Sequence, residues 1–120
     1  MSKKLNKKEI EKFSRQIILR NIGALGQKKI QEAKVLIIGM GGLGCPAAEF
    51  LTRSGIGTLG IVDYDKVSLS NIHRQTLYTE KDINKSKVKI AKKKLNEINP
   101  KTKINIFNYK LNKIKLKKII

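Results

Sequence analysis

The apolar positions of this chain follow two different spacings, which predicts alternating strands and helices. Continuous apolar runs at residues 34–38 and 58–63 are typical of strands buried within a parallel sheet. Residues 42–53 lie between these runs and carry apolar side chains at helical spacing. The three segments together therefore predict a βαβ unit.

A second helix and a third strand extend this pattern toward the C-terminus. Residues 84–98 place their apolar side chains on one helical face, and Asn84 or Ser86 is the expected capping residue. Residues 103–109 alternate as a strand does, and residues 113–120 predict the start of another helix.

The remaining segments predict helices and loops without strands. Residues 8–20 predict one amphipathic helix, Gly23 and Gly26 predict a turn, and residues 27–33 predict a short helix. Residues 68–79 are rich in polar turn formers, so we expect a loop with short helical turns there.

Candidate chemistry begins at the turn between the first strand and its helix. Gly39, Gly41 and Gly44 form a Gly-x-Gly-x-x-Gly pattern, and Asp63 ends the second apolar run nineteen residues after Gly44. In such a unit the glycines let the backbone approach phosphate, the helix N-terminus offers free N–H groups, and the acid binds ribose hydroxyls. The sequence therefore predicts a Rossmann-like nucleotide-binding α/β domain with a parallel sheet and N-terminal helices.

Length and composition are compatible with one small domain. We expect a helical arm over residues 1–33 and a βαβαβ core over residues 34–111 of the 120 residues. The single cysteine, Cys45, excludes an internal disulfide or a paired-cysteine zinc site within this sequence. No apolar run approaches the length of a membrane helix, and the basic residues 1–9 precede no apolar signal segment, so we expect a cytoplasmic protein that does not bind membranes.

The net charge of +18 raises the question of nucleic-acid binding. Of the 27 basic residues 23 are lysine, and Lys, Ile and Asn, all with A/T-rich codons, make up 50 of the 120 residues. Modules that read bases show more arginine or more interleaved aromatic residues than the four Arg and six aromatics found here. We therefore expect no nucleic-acid partner, although the charge favours anionic ligands such as ATP.

Several motifs in the same order resemble the ThiF/MoeB/HesA family, the bacterial relatives of the ubiquitin-activating enzymes. They are FSRQIILR at residues 13–20, the glycine turn with CPAA at 45–48, SNIHRQTL at 70–77, Lys87, and the segment from Leu95 to Asn99-Pro100. The resemblance runs from about residue 13 to residue 111 and covers about the first half of such an enzyme. It therefore predicts that the chain is truncated, without the later acidic strand end, carrier groove and zinc-binding cysteines.

The resemblance implies ATP and Mg²⁺ as cofactors and assigns roles to individual residues. Arg15, Arg74 and Lys87 would stabilise charge on the phosphates, with Arg15 reaching the site of a neighbouring subunit in a homodimer. The implied nucleotide contacts are Gly39, Gly41, Gly42, Asp63, Ser70, Asn71, Ile72, His73, Arg74 and Lys87. This residue set includes no metal ligand.

From the residues alone, other roles remain open for these side chains. Asp63 also fits a surface acid or a helix cap, and Ser70 and Asn71 fit a simple turn. Lys87 lies among several lysines that are expected to be solvated, and Arg15 fits the charged face of an amphipathic helix.

The implied activity is ATP-dependent adenylation of the C-terminal carboxylate of a ubiquitin-like sulfur-carrier protein, a nucleotidyltransferase reaction. The carrier would serve molybdopterin, thiamine or thiolated-tRNA synthesis. Two other classes share some of these features: an NAD- or FAD-binding half of an oxidoreductase would have the same glycine turn and acid, and a basic binding protein would need no catalytic site. The polar segment at 70–75 favours adenylation over the oxidoreductase.

Overall fold

The structure is a computed structural model that describes residues 4–120. Three helices come first, and three strands then alternate with three further helices. The elements are α1 (Lys7–Lys12), α2 (Ser14–Ile17), α3 (Gly23–Glu32), β1 (Lys34–Ile38), α4 (Gly44–Ser54), β2 (Thr58–Val62), α5 (Lys87–Ile98), β3 (Lys103–Phe107) and α6 (Lys113–Ile119). Short 3₁₀ turns at Leu69–Asn71 and Glu80–Asp82 lie in the long β2–α5 connection.

The three strands form a parallel sheet in the order β1-β2-β3, which confirms the predicted fold class. Ile38 lies opposite Val62, and Val62 lies opposite Phe107, so the carboxyl ends of all three strands are level. Gly39 and Asp63 therefore leave the same edge of the sheet. The Gly39 N–H donates to the Val62 carbonyl at 2.7 Å, which continues the pairing of β1 and β2 one residue further.

The core lies between the sheet and helices α4 and α5. These two helices contact each other, α4 contacts β1 and α5 contacts β3, so both lie on one face of the sheet. The sheet contributes Leu59, Ile61 and Ile104 to this core, and α5 contributes Val88, Ala91 and Leu95. Burial of these apolar side chains is the main stabilising contribution to such a fold.

The strand β1 is less buried than its apolar sequence predicts. Its three central residues are half-buried, and Ile38 is 59% exposed, whereas residues 59–62 of β2 are buried. The reason is topological, because among the described residues β1 pairs with β2 only and its other edge has no strand beside it. The prediction of a strand here is confirmed, but the expected burial on both sides is wrong.

The single helix predicted over residues 8–20 is also wrong. Helix α1 ends at Lys12, and the chain bends at Phe13 before α2 begins. The bend buries the Phe13 ring against Gly55, where an added Cβ would lie only 2.7 Å from the ring. Two of the apolar residues of this predicted helix, Ile10 and Ile18, are exposed instead. Tertiary packing of one aromatic ring therefore overrides the helical periodicity.

Other element boundaries differ by a few residues from the sequence prediction. Helix α3 begins at Gly23 rather than after Gly26, and β3 ends at Phe107. Ser86 precedes α5, but its side chain makes no capping hydrogen bond. The predicted helical arm includes Met1–Lys3, which lie outside the described residues. None of the helices within residues 4–120 is both long enough and apolar enough to span a membrane.

Candidate functional site

The glycine turn links β1 to α4 by a path that requires glycine at two positions. Gly39 has φ of +96°, a left-handed conformation that residues with a Cβ rarely adopt. A Cβ at Gly44 would lie 1.9 Å from the Gly39 carbonyl oxygen, so the backbone folds closely back on itself there. The turn therefore connects the end of β1 directly to the first residue of α4.

This turn presents backbone donors at the N-terminus of α4. Within residues 4–120, the N–H groups of Gly41, Gly42 and Leu43 donate to no protein acceptor. An open cleft of about 480 Å³ borders the same turn. Free N–H groups at a helix N-terminus form a binding site for phosphate or another anion, because they combine hydrogen bonding with the positive end of the helix dipole.

Asp63 follows β2 and faces the turn. Its Oδ2 accepts a 2.7 Å hydrogen bond from the Met40 N–H, and its Oδ1 accepts one of 2.8 Å from the Asp65 N–H. Both bonds fix the carboxylate in place beside the glycine turn. Each carboxylate oxygen retains acceptor capacity, so Asp63 can accept hydrogen bonds from two neighbouring hydroxyl groups such as those of ribose.

The segment after Asp63 folds back toward the turn. Asn71 uses its Oδ1 to accept hydrogen bonds from the Ser68 N–H and hydroxyl, at 3.1 and 2.9 Å, which shapes the 3₁₀ turn. Ser70 and His73 are exposed, and Ile72 packs partly against the core. Of these four predicted site residues, Asn71 and Ile72 therefore also have structural roles, while Ser70 and His73 face solvent.

Arg74 lies over the glycine turn. A Cβ at Gly42 would lie 3.7 Å from Arg74 Cδ, so the arginine stem crosses the backbone there. The guanidinium is exposed, and its Nη1 donates to the Ser70 carbonyl at 2.8 Å. Most of its donors remain available to an anion held by the turn.

Lys87 is the first residue of α5 and is only 5% exposed. Its ammonium lies 4.0 Å from Asp65 Oδ2, and its backbone N–H donates to the Asp65 carbonyl at 3.1 Å. Its Nζ donates no hydrogen bond to any acceptor within residues 4–120. Most lysines of this chain are solvated, whereas Lys87 is a buried cation with one distant carboxylate, so its charge is available for a ligand.

Arg15 is not brought to this site. Its neighbour Gln16 donates from Nε2 to the Ser54 carbonyl at 2.8 Å, which places α2 beside the end of α4, at the opposite end of the sheet from the glycine turn. Arg15 itself is exposed. A larger cavity of about 680 Å³ lies at this same end, between α1, α3 and the loops before β2 and β3. Contact of Arg15 with a nucleotide therefore requires the site of another subunit.

Sequence reasoning missed Gln75 as a candidate site residue. Its side chain is buried, its Oε1 has no hydrogen-bond partner among the described residues, and a Cβ at Gly41 would lie 3.7 Å from its Nε2. A buried amide without a partner beside an open backbone turn is a candidate ligand contact. Its position after Arg74 is the only signal in the sequence, because burial of a polar side chain leaves no periodic pattern.

Metal ligands were not expected among the site residues. Across residues 4–120 the structure contains no group of three or more His, Cys, Asp or Glu residues placed to hold a metal ion.

A parallel sheet with this glycine turn after the first strand and an acid after the second belongs to the Rossmann-like class of nucleotide-binding proteins. The chain matches the ThiF family over residues 13–120, and it belongs to that family. The family expected from its motifs is thereby confirmed.

Two curated relatives are adenylyltransferases. The chain is 46% identical over 108 residues to the adenylyltransferase and sulfurtransferase MOCS3 of Culex quinquefasciatus, covering 90% of this chain and 25% of that protein. It is 44% identical over 116 residues to the molybdopterin-synthase adenylyltransferase of Haemophilus influenzae, covering 97% of this chain and 48% of that protein. The chain thus spans between about a quarter and about half of these relatives, and the enzyme class expected from the sequence is confirmed at the level of the family.

The fold also matches solved structures that contain nucleotide. MccB of E. coli, solved with ATP, superposes with a TM-score of 0.82 at 30% identity, covering 96% of this chain and 36% of the MccB chain. Nucleotide binding therefore occurs among the structural neighbours of this chain.

Proposed function

We propose that this chain provides the nucleotide-binding part of an enzyme that adenylates the C-terminal carboxylate of a ubiquitin-like sulfur-carrier protein with ATP. The observation that carries the proposal is the meeting of free N–H groups, a fixed acid and two cations at one edge of the sheet. The name of the Haemophilus influenzae relative, a molybdopterin-synthase adenylyltransferase, favours a carrier for molybdopterin synthesis.

Each group in this arrangement has a chemical task. Asp63 binds the ribose hydroxyls, the N–H groups of Gly41 and Gly42 hydrogen-bond the phosphates, and Arg74 and Lys87 offset the phosphate charge. Such reactions depend mainly on positioning and electrostatic stabilisation. Magnesium would enter with the phosphates as the Mg-ATP substrate, which suits a site without a protein cage of carboxylates.

The reaction itself is a substitution at the α-phosphorus of ATP. An oxygen of the carrier carboxylate forms a bond to this phosphorus, the bond to the bridging oxygen breaks, and pyrophosphate leaves with the electron pair. The acyl-adenylate that remains is activated for attack by sulfur. Arg74 and Lys87 would stabilise the charge that accumulates on the leaving pyrophosphate.

A homodimer would complete the site with Arg15. The arginine is exposed on α2, and apolar residues of the same N-terminal region are also exposed, namely Ile10, Ile18, Leu19 and Leu25. An apolar surface of this kind favours association with another protein surface. We propose that this surface joins two copies and brings Arg15 to the phosphates bound by the partner.

The proposal is tested first by nucleotide preference. Titration calorimetry should show tighter binding of Mg-ATP and AMP than of NAD, and Asp63→Ala should weaken adenosine, AMP and ATP alike. Arg74→Ala should lower the affinity for ATP about 10-fold or more, because a charged hydrogen bond contributes about 1.5–3 kcal/mol. It should lower the affinity for adenosine less than about twofold. Equal or tighter binding of NAD, together with a harmless Arg74→Ala, would favour the oxidoreductase class and refute adenylation.

The reaction is tested by carrier-dependent ATP–pyrophosphate exchange. A chimera should be used in which residues 1–120 are followed by the remaining part of the Haemophilus influenzae relative. Exchange should require the carrier and should be lost with a carrier that lacks its last residue. Exchange that is indifferent to the carrier would show that this carboxylate is not the substrate.

A further inference from the structure

Two buried side chains that the proposed reaction does not use converge on one backbone carbonyl of the glycine turn. The Tyr78 hydroxyl donates to the Met40 carbonyl at 2.8 Å, and the Cys45 thiol donates to the same oxygen at 3.4 Å. Met40 and Cys45 are 0% exposed and Tyr78 is 2% exposed. The carbonyl is therefore shielded from water, and these two groups satisfy it from the core side.

The direction of this carbonyl determines the direction of the next N–H group. The Met40 carbonyl and the Gly41 N–H belong to one planar peptide unit, and no peptide bond among the described residues is cis. In a trans peptide the C=O and N–H point in opposite directions. Holding the carbonyl toward Tyr78 in the core therefore turns the Gly41 N–H away from the core, where it has no protein acceptor.

Both donors are fixed in their protonated form. Burial raises the pKa of the Tyr78 hydroxyl well above its ordinary value and also raises the pKa of the Cys45 thiol. Tyr78 also continues the segment that carries Arg74, because its N–H donates to the Gln75 carbonyl at 3.1 Å and the Gln75 N–H donates to the Asn71 carbonyl at 2.9 Å. The hydroxyl therefore joins this segment to the glycine turn by one buried hydrogen bond.

We infer that Tyr78 is a positioning residue for phosphate binding, which acts through the Met40–Gly41 peptide and does not itself touch the ligand. Its hydroxyl holds this peptide so that the Gly41 N–H is oriented toward the phosphate before the nucleotide arrives. The inference rests on the proposed nucleotide site. It adds a specific consequence. Loss of the hydroxyl should lower the affinity for ligands that carry phosphate and leave the affinity for adenosine almost unchanged. The reason is that Asp63 accepts its hydrogen bond from the Met40 N–H, which belongs to the preceding peptide unit.

The test compares Tyr78→Phe with Tyr109→Phe, a matched loss of one hydroxyl. Tyr109 is half-buried, and its hydroxyl forms no hydrogen bond within residues 4–120. Affinities for Mg-ATP, AMP and adenosine should be measured at a temperature at which circular dichroism shows both variants fully folded. Tyr78→Phe should lower the affinities for ATP and AMP roughly 5- to 30-fold and the affinity for adenosine less than about twofold. Tyr109→Phe should change none of these affinities.

A purely structural role for Tyr78 would give a different pattern. It would lower the unfolding temperature and leave the affinities of the folded protein unchanged, or it would weaken ATP and adenosine equally. Either result would overturn the inference. If Tyr78→Phe does not fold, Cys45→Ala removes the weaker donor from the same carbonyl, and the expected loss is smaller but again confined to ligands with phosphate. The inference fails if Cys45→Ala lowers the affinity for adenosine as much as that for ATP. It also fails if Cys45→Ala lowers neither affinity.

These outcomes also separate the inference from the proposed function. A wild-type protein that does not bind ATP, or that prefers NAD, contradicts both. A wild-type protein that binds ATP as proposed, combined with an unselective or absent effect of Tyr78→Phe, contradicts the inference alone.

Discussion

Replacement of Lys87 by methionine tests whether this side chain stabilises the negative charge of a bound phosphate. Methionine has a side chain of similar length without the ammonium, and Lys87 is already buried as the first residue of α5. Its only charged partner among the described residues is Asp65, at 4.0 Å, and the Asp65 side chain is 57% exposed. The pair is long and Asp65 is solvated, so its loss should destabilise the fold by less than about 1 kcal/mol, and removal of a desolvated charge opposes even this loss.

The expected effect on nucleotide binding is much larger. A charge-assisted hydrogen bond from Lys87 to a phosphate contributes about 1.5–3 kcal/mol, which corresponds to a loss of roughly 10- to 150-fold in affinity for ATP. Adenosine lacks the phosphate, so its affinity should change less than about twofold. Because Lys87 is desolvated, the effect should also persist at physiological salt, which screens exposed charges.

Lys89→Met provides the matched control for this experiment. Lys89 lies on the same helix, carries the same charge and is exposed. Calorimetric titrations with ATP, AMP and adenosine, together with thermal unfolding, distinguish three explanations. A loss confined to ATP and AMP and to Lys87→Met supports direct phosphate contact. An equal loss of affinity for adenosine would show that Lys87 has a structural role. An equal loss in Lys89→Met would show that the net charge of the protein explains the effect. Either result would refute the reasoning.

Three further predictions follow from other parts of the structure. Burial raises the pKa of Asp82, but hydrogen bonds from the Thr79 N–H and the Lys94 ammonium outweigh it and leave the pKa lowered. Its stabilisation should therefore be complete above about pH 5 and be lost as pH falls through the folded-state pKa. Asp82→Asn should lower the unfolding temperature at pH 7, and the difference from the wild type should shrink as the pH falls below about 4. Cys45 is buried and burial raises its pKa, so iodoacetamide should modify it slowly in the native protein and rapidly in denaturant, and fast native labelling would contradict its placement. The outer edge of β1 should promote self-association of residues 1–120, and light scattering should show that Ile38→Lys reduces it while the exposed control Ile114→Lys does not.

The arrangement of the strands could be predicted from the sequence because it depends on local pattern. Short apolar runs with a helical segment of suitable length between them specify a parallel βαβ unit. In such a unit the residues that follow the two strands, here Gly39 and Asp63, lie at the same edge of the sheet. The break at Phe13 could not be predicted, because it depends on a glycine more than forty residues away that leaves space for the ring.

The sequence predicts several residues of the candidate site but not the contacts that hold them in place. The motif at residues 70–77 identifies Arg74, and the structure places its stem over Gly42. The burial of Gln75 and the hydrogen bond from Tyr78 to Met40 depend on how the long β2–α5 connection folds onto the core. No propensity or spacing rule encodes such a contact, since polar side chains in loops are expected to be solvated.

The location of Arg15 at the opposite end of the sheet from the glycine turn has a genetic consequence. Under the proposed dimer, each complete site takes Arg15 from one chain and Asp63 from the other. Two chains that carry Arg15→Ala and Asp63→Ala separately would each form inactive dimers, yet their heterodimer contains one intact site and one doubly defective site. Random mixing of equal amounts should therefore restore about a quarter of the sites. Two inactive alleles of this gene would then complement each other in the same cell.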